Sequence, residues 1–180
     1  MSARTSTEIR LHWLAQSLAW GRPDAPPLAF GAIDLRDRPD NPDHRFDLTV
    51  EAGSVVVAIG DEDSGVGDLG SYALGLRTPI SGHAEVFGAR IGTMPYYDLL
   101  LFRRRIGYHP LGDGLLQNLS LRDNVALPLR FASDHRLAEV EGRVAELLED
   151  FHLRTVAGQR PAAVNEEDRR RAAMARAIAL

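Results

Sequence analysis

Cysteine and lysine are both absent from this chain of 180 residues. Without cysteine there is no disulfide framework, no thiolate nucleophile and no zinc ribbon, so the cysteine count leaves the redox compartment open. Every basic residue is an arginine, which is typical of a high-GC bacterial genome. The chain also lacks an apolar stretch of the kind that spans a membrane or forms a signal peptide. We therefore expect a cytoplasmic protein.

Charge and hydropathy are otherwise ordinary. Charged residues make up 26% of the chain and hydrophobic residues 44%, as in soluble globular proteins. The length suffices for one domain with a real core. A net charge of -4 gives no reason to expect a nucleic-acid partner. The six histidines stand at no metal-ligand spacing, so no metal site is predicted.

A glycine loop follows a run of small and β-branched apolar residues. Residues 55–59 predict a buried strand, and Gly60 and Gly65 then stand at the spacing of the phosphate-binding motif G-x-x-x-x-G-K-[ST]. Val66 replaces the lysine of this motif, and Gly67 replaces the hydroxyl residue that holds magnesium. We expect the loop geometry to be present and its phosphate chemistry to be lost.

The charge of this loop also opposes a phosphate. Its acidic residues, which surround Ser64, are Asp61, Glu62, Asp63 and Asp68. A unit-charge pair at about 4 Å is worth roughly 1 kcal/mol in water and roughly 4 kcal/mol at a dielectric near 20. Exchanging one attraction for repulsions therefore weakens triphosphate binding substantially, although backbone amides and a following helix still attract anions. We expect no cofactor, and Mg-ATP only if this altered loop still binds it.

The periodicity of the chain predicts an α/β fold. Strands are expected over 28–35, 46–50, 55–59, 83–87 and 106–108, and helices over 5–20, 96–104, 121–128, 136–152 and 167–180. The Pro-rich segment 22–27 predicts a linker, so the expected organisation is a helix and linker over 1–27 and one domain over 28–180. The first helix either packs on the domain or docks to a membrane surface or partner. Tyr96 and Tyr97 are expected in the core.

Landmarks along the chain together resemble the nucleotide-binding domain of ABC transporters. They occupy 48–56, 78–82, 103–108, 115–129 and 169–180, in the order and spacing of that family. The resemblance covers the chain from about Leu28 to its end and implies a P-loop-type mixed sheet flanked by helices, behind a short N-terminal helix. Residues 124–130 and 171–180 look most like the ATPases of Mla-type (Mce-linked) phospholipid transport, followed by lipoprotein-release ATPases.

The resemblance also implies which positions would bind nucleotide. They are Gly60, Ser64, Gly65, Val66, Gly67 and Asp68 in the Walker A loop, Leu111 at the Q-loop glutamine, and Asn165, Glu166 and Glu167 in the signature motif L-S-G-G-Q. Asp37 aligns near the aromatic residue that stacks on adenine. The acids of the signature segment stand near a helix N-terminus, where they would satisfy the helix dipole themselves. The chain ends before the family's Walker B strand, so an incomplete domain is expected.

These departures predict a degenerate, non-hydrolysing ABC ATPase-like subunit of a lipid or lipoprotein transport system, with no catalytic residues. The resemblance implies a permease partner through about residues 96–131, because the family's coupling surface lies around the Q-loop, or an intact ATPase subunit as partner. The protein would then sit peripherally at the inner membrane. A scaffold module and an ATPase that borrows motifs in trans are the alternatives. Neutral decay of an unused site would leave the same residues.

Overall fold

The structure is a computed structural model that describes residues 21–22, 24–35, 45–132 and 136–180. The chain divides into two compact units, Met1–Arg103 and Arg104–Leu180. The predicted helix over 5–20 lies outside the described residues, as do residues 37–44, whose proline and aspartate content predicts a turn. The predicted boundary at residue 27 stays a prediction.

The first unit contains a four-stranded antiparallel sheet in the order β2-β1-β3-β4. Its strands are β1 (Leu28–Asp34), β2 (Arg45–Val50), β3 (His83–Val86) and β4 (Ala89–Arg90). Along β2, half-buried and exposed residues alternate, which is the period of a strand with one face on the core. The α/β fold class is therefore confirmed, and only the short β4 was not anticipated.

Two predicted strands are wrong for this structure. Within the described part of the chain, neither 55–59 nor 106–108 pairs with a strand. Val55, Val57 and Ile59 are 92%, 76% and 90% exposed. The β-branched residues of 55–59 favour an extended backbone, but a buried strand also needs neighbours that take its N–H and C=O groups.

The described part of the first unit contains two α-helices, α1 (Leu69–Ala73) and α2 (Tyr96–Arg103). The guanidinium of Arg103 donates to the carbonyl of Leu74 at 2.7 Å and to that of Gly75 at 2.9 Å, immediately after α1. These bonds satisfy carbonyl groups that the end of a helix leaves without an intrahelical donor.

The tyrosines of α2 are exposed, so their predicted core placement is wrong. Tyr96 is 66% and Tyr97 79% exposed, whereas Leu99 and Phe102 are buried. The Phe102 ring meets Phe87 edge-on at 6.2 Å. The apolar run that begins at Tyr96 is longer than the face that an eight-residue helix buries.

The second unit is built on three helices, α3 (Leu121–Ala132), α4 (Leu137–Asp150) and α5 (Glu166–Ala177). All three were predicted, and α3 continues beyond Pro128. Their shared core consists of buried aliphatic residues, among them Leu121, Val125, Leu129, Val140, Val144, Leu147, Ala172 and Ala175. None of the helices that the structure describes is both long and apolar enough to cross a membrane.

A buried asparagine holds the segment that precedes α3. The side chain of Asn124 is fully buried. Its amide group donates to the carbonyls of Leu116 and Ser120, each at 3.0 Å, and its carbonyl accepts the N–H of Leu116 at 2.8 Å. Asn124 therefore fixes the backbone of residues 116–120 against the start of α3.

Candidate functional site

The glycine loop consists of two short turns of 3₁₀-helix. The first turn spans Glu62–Ser64 and the second Val66–Asp68, after which the chain enters α1. Gly65 joins the turns with φ 74° and ψ 1°, in the left-handed region. A Cβ at Gly65 would lie 2.4 Å from the carbonyl oxygen of Leu35. Both the backbone angle and the close approach therefore require glycine here.

The Ser64 hydroxyl occupies the inside of this loop. It donates to the carbonyl of Asp61 at 2.6 Å and accepts the N–H of Val66 at 3.3 Å. A Cβ built on Gly60 would lie 2.2 Å from Ser64 Oγ and 2.9 Å from Val66 Cγ2. The side chains of Ser64 and Val66 thus fill the space that faces Gly60.

The loop also uses its own backbone amides. The N–H of Ser64 donates to Asp61 O at 3.1 Å, and the N–H of Asp68 donates to Gly65 O at 3.0 Å. The N–H of Leu69 donates to Val66 O. An anion cradle requires several N–H groups that converge on one point and are free to donate. Here the amides of Ser64, Val66, Asp68 and Leu69 already have partners within the loop.

The charges of the loop are only partly compensated. Asp61 and Asp63 are exposed. Asp68 forms an ion pair with Arg77, and the Arg77 guanidinium also lies 6.0 Å from the centroid of the Tyr72 ring. Arg77 therefore neutralises Asp68, a pairing that sequence reasoning missed because the two residues are separated by α1.

The positions assigned to the signature motif form the start of α5. Asn165 caps this helix, since its Oδ1 accepts the N–H of Asp168 at 2.8 Å. Glu166 pairs with Arg170, and Glu167 pairs with Arg171, each one turn along the same helix. The cap satisfies one helix N–H and the acids offset the positive end of the helix dipole, which leaves this terminus poorly suited to an anion.

Known proteins with similar sequences are ATP-binding proteins of ABC transporters. The methionine import ATP-binding protein MetN of Caulobacter vibrioides is 36% identical over 132 residues, which are 73% of this chain and 40% of that protein. MetN of Mesorhizobium japonicum is 34% identical over 160 residues, 88% of this chain and 44% of that protein. The uncharacterised ABC transporter ATP-binding protein YvcR of Bacillus subtilis is 33% identical over 134 residues, 74% and 51%. No family model matches.

Solved structures share the fold. The ATP-binding cassette MJ0796, solved as a dimer in a post-hydrolysis state with ADP and Pi, superposes with a TM-score of 0.73 at 22% identity and covers 84% of this chain and 69% of its own. CbiO1 of Clostridium perfringens, part of the ABC transporter complex cbiONQ, gives 0.72 at 16% identity and covers 87% and 62%. This chain belongs to the ABC transporter ATP-binding domains. The predicted family and ABC-type fold are confirmed, and the chain spans 40% to 51% of these curated relatives' length.

The side chains at the positions predicted for Walker A lack the groups that hold Mg-ATP in that motif. Val66 and Gly67 supply neither a cation for the phosphates nor a hydroxyl for magnesium. The hydroxyl of Ser64 already holds the Val66 amide inside the loop. Two exposed carboxylates, Asp61 and Asp63, add repulsion.

Leu111, the residue predicted at the Q-loop position, belongs to the second unit. Leu111 is 88% exposed, in a segment without regular secondary structure, and an aliphatic side chain cannot bind a metal ion. Asp37, at the adenine-stacking position, lies outside the described residues. The positions assigned to nucleotide binding therefore fall into the loop 60–68 of the first unit and into Leu111 and the α5 start of the second.

Arginines of α5 bind the loop over 112–114, a contact that sequence reasoning missed. Arg176 donates to the carbonyl of Gly114 at 2.8 Å, and Arg169 forms an ion pair with Asp113 at 3.2 Å. Burial lowers the pKa of Arg176, and the Asp113 carboxylate opposes that effect. Three arginines follow one another at 169–171, and only the contact of Arg169 with Asp113, more than fifty residues away in the sequence, distinguishes its role.

Proposed function

We propose that this ABC domain does not bind or hydrolyse Mg-ATP at its own Walker A loop and acts in a transport system through protein contacts. The observation that carries the proposal is the Ser64 hydroxyl, which holds the Val66 amide in a loop without lysine. A triphosphate would have to break this bond and approach Asp61 and Asp63. The loop 60–68 contains no basic residue that could offset this repulsion, and the nearby Arg77 is already paired with Asp68.

Nucleotide titration tests this proposal directly. A ligand present at about 100 times its Kd stabilises the folded state by about 2.7 kcal/mol. We expect no change in the melting temperature of the full chain with Mg-ATP, compared with Mg²⁺ alone and with ATP in EDTA. A magnesium-dependent rise of several degrees would contradict the proposal, and it would favour an ATPase that completes its site with a second polypeptide.

The partner that we propose is an integral-membrane permease, contacted through about residues 96–131. In the first unit this segment exposes Tyr96, Tyr97 and Leu100, the last at 41%. In the second unit it exposes Leu111 and Phe131, at 88% and 83%. Exposed aromatic and aliphatic side chains of this kind are typical of protein interfaces. Such a partner would place the protein peripherally at the inner membrane.

Site-specific photo-crosslinking tests the permease contact. A benzophenone amino acid at position 97, 111 or 131 should give crosslinks to a membrane protein in intact cells. Leu137 is the matched control, because it is 70% exposed and lies outside the segment. Equal crosslinking from position 137, or crosslinks only to soluble proteins, would contradict the permease contact.

A second ATP-binding cassette is the alternative partner. The dimeric MJ0796 structure favours it, because a relative of the same fold pairs with another copy. In the crosslinking experiment this alternative predicts products with an intact ATPase subunit instead of a permease. We propose two candidate cargoes. A lipid or lipoprotein is one, because residues 124–130 and 171–180 resemble ATPases of phospholipid transport and lipoprotein release. Methionine is the other, because the MetN relatives are methionine import proteins.

A further inference from the structure

Side chains hold the loop over 112–114 in place. Among the described residues, the backbone of this loop forms no hydrogen bond with another backbone group. Gly112 and Gly114 have φ values of 84° and 58°, in the left-handed region. Glycine enters and leaves this region at little cost, so a loop with two such residues changes conformation readily unless its surroundings fix it. The side chains that reach the loop therefore decide whether it moves.

Asp113, between the two glycines, uses both of its carboxylate oxygens. Its Oδ1 accepts the N–H of Leu115 at 3.0 Å, and its Oδ2 lies 3.2 Å from Nε of Arg169. Leu115 is buried in the core of the second unit. The Arg169 guanidinium also donates from Nη1 to the carbonyl of Val164 at 3.0 Å, just before α5. Asp113 therefore joins the loop both to the helical core and to the start of α5.

A second arginine of α5, Arg176, binds the carbonyl oxygens of the loop. It donates to Gly114 O at 2.8 Å and to Asp113 O at 3.4 Å. Hydrogen bonds from a charged donor are stronger than those between neutral groups. The Asp113 and Arg169 side chains are only 22% and 31% exposed, so water and salt screen their ion pair less than a pair on the open surface. Two arginines of one helix thus hold three consecutive residues.

We propose that Asp113, Arg169 and Arg176 form a latch that fixes the loop 112–114 to α5. While the latch is closed the loop moves with this helix, and loss of either charge of the Asp113–Arg169 pair releases it. Leu111 directly precedes the loop, and Arg169 lies one turn after Asn165, the cap of α5. The latch therefore makes these two parts of the second unit move as one body. It does not depend on nucleotide binding or on the permease contact proposed above, and its test involves neither.

Hydrogen exchange of the Leu115 amide, followed by NMR on the full chain, reports the state of the latch, because this N–H donates to Asp113. Local opening exposes such an amide without unfolding the rest of the unit. Arg169→Gln removes the charge that faces Asp113, and we expect Leu115 to exchange at least about fivefold faster, the upper end of the range for one exposed ion pair. The amides of α3 and α4 should keep their wild-type rates. Unchanged exchange at Leu115, or equal acceleration throughout α3 and α4, would overturn the proposal.

Further variants separate the latch from a general effect of charge. Arg170→Gln is the matched control, since it changes the neighbouring arginine, which pairs with Glu166 on the same helix, and it should leave Leu115 exchange unchanged. Arg169→Lys keeps a cation and should restore most of the protection. Asp113→Asn keeps an oxygen that can accept the Leu115 N–H but removes the charge, so it should accelerate exchange as Arg169→Gln does. The double variant should then exchange no faster than the faster single one. Additive effects of the two substitutions, or the same acceleration by Arg170→Gln, would also overturn the proposal.

Discussion

Replacing Asn124 by alanine should destabilise the second unit strongly. The side chain is fully buried and makes three bonds of 2.8 to 3.0 Å to the backbone of Leu116 and Ser120. Each bond contributes about 1 kcal/mol net. Asn124→Ala removes all three bonds. We therefore expect a loss of about 3 kcal/mol in the free energy of unfolding.

Urea unfolding followed by circular dichroism at 222 nm measures this loss, because the second unit is mainly helical. Asn118→Ala is the matched control, since Asn118 is exposed in the same segment and its truncation should change stability by less than about 0.5 kcal/mol. A loss below about 1 kcal/mol for Asn124→Ala would refute the reasoning. It would mean that residues 116–120 are held by other contacts.

The variant Asn124→Asp tests the burial of this position through the direction in which stability changes with pH. A carboxylate at this position would be buried beside two carbonyl oxygens, which raises its pKa in the folded state above the unfolded value. The folded state then binds the proton more tightly, so stability should fall as pH rises above about 4. The wild type provides the reference at each pH. If the free energies of unfolding of the two proteins differ by the same amount at pH 4 and at pH 7, the burial argument is wrong.

Two further predictions concern single positions in each unit. Gly65→Ala should destabilise the fold more than Gly53→Ala. Both glycines have positive φ, but only a Cβ at position 65 would meet the Leu35 carbonyl, at 2.4 Å. Hydrogen exchange of the loop amides measures the difference, and equal effects of the two substitutions would contradict the clash. The hydrogen bond from Ser120 lowers the pKa of Asp123. The ionised Asp123 carboxylate therefore stabilises the fold above its unfolded-state pKa, and this stabilisation is lost as pH falls through its folded-state pKa. Ser120→Ala should raise the pKa of Asp123 in an NMR titration, and an unchanged pKa would count against this cause.

Patterns with a local cause could be predicted from the sequence. The alternation in β2 and the apolar stripe of α4 with Val140, Val144, Leu147 and Leu148 each reflect one buried face. The start of α5 was also predictable, since its acids and Asn165 favour a helix N-terminus. The spacing of Gly60 and Gly65 indicated a loop between these glycines, and the structure has two turns of 3₁₀-helix over 62–68.

Features that depend on distant partners could not be predicted. The run 55–59 has the composition of a buried strand, yet composition carries no information on whether neighbours pair with it. The Ser64 hydroxyl could hold an outside ligand or its own loop, and only the distances to Asp61 and Val66 decide between these roles. The same holds for Arg176, whose acceptor lies at Gly114.

The two bonds of Arg103 join the tyrosine-bearing helix to the helix that the glycine loop enters. Arg103 is the last residue of α2, and its acceptors, Leu74 and Gly75, directly follow α1. A displacement of α2 along its axis would therefore act on the C-terminal end of α1 through these two bonds, so the two helices should move together.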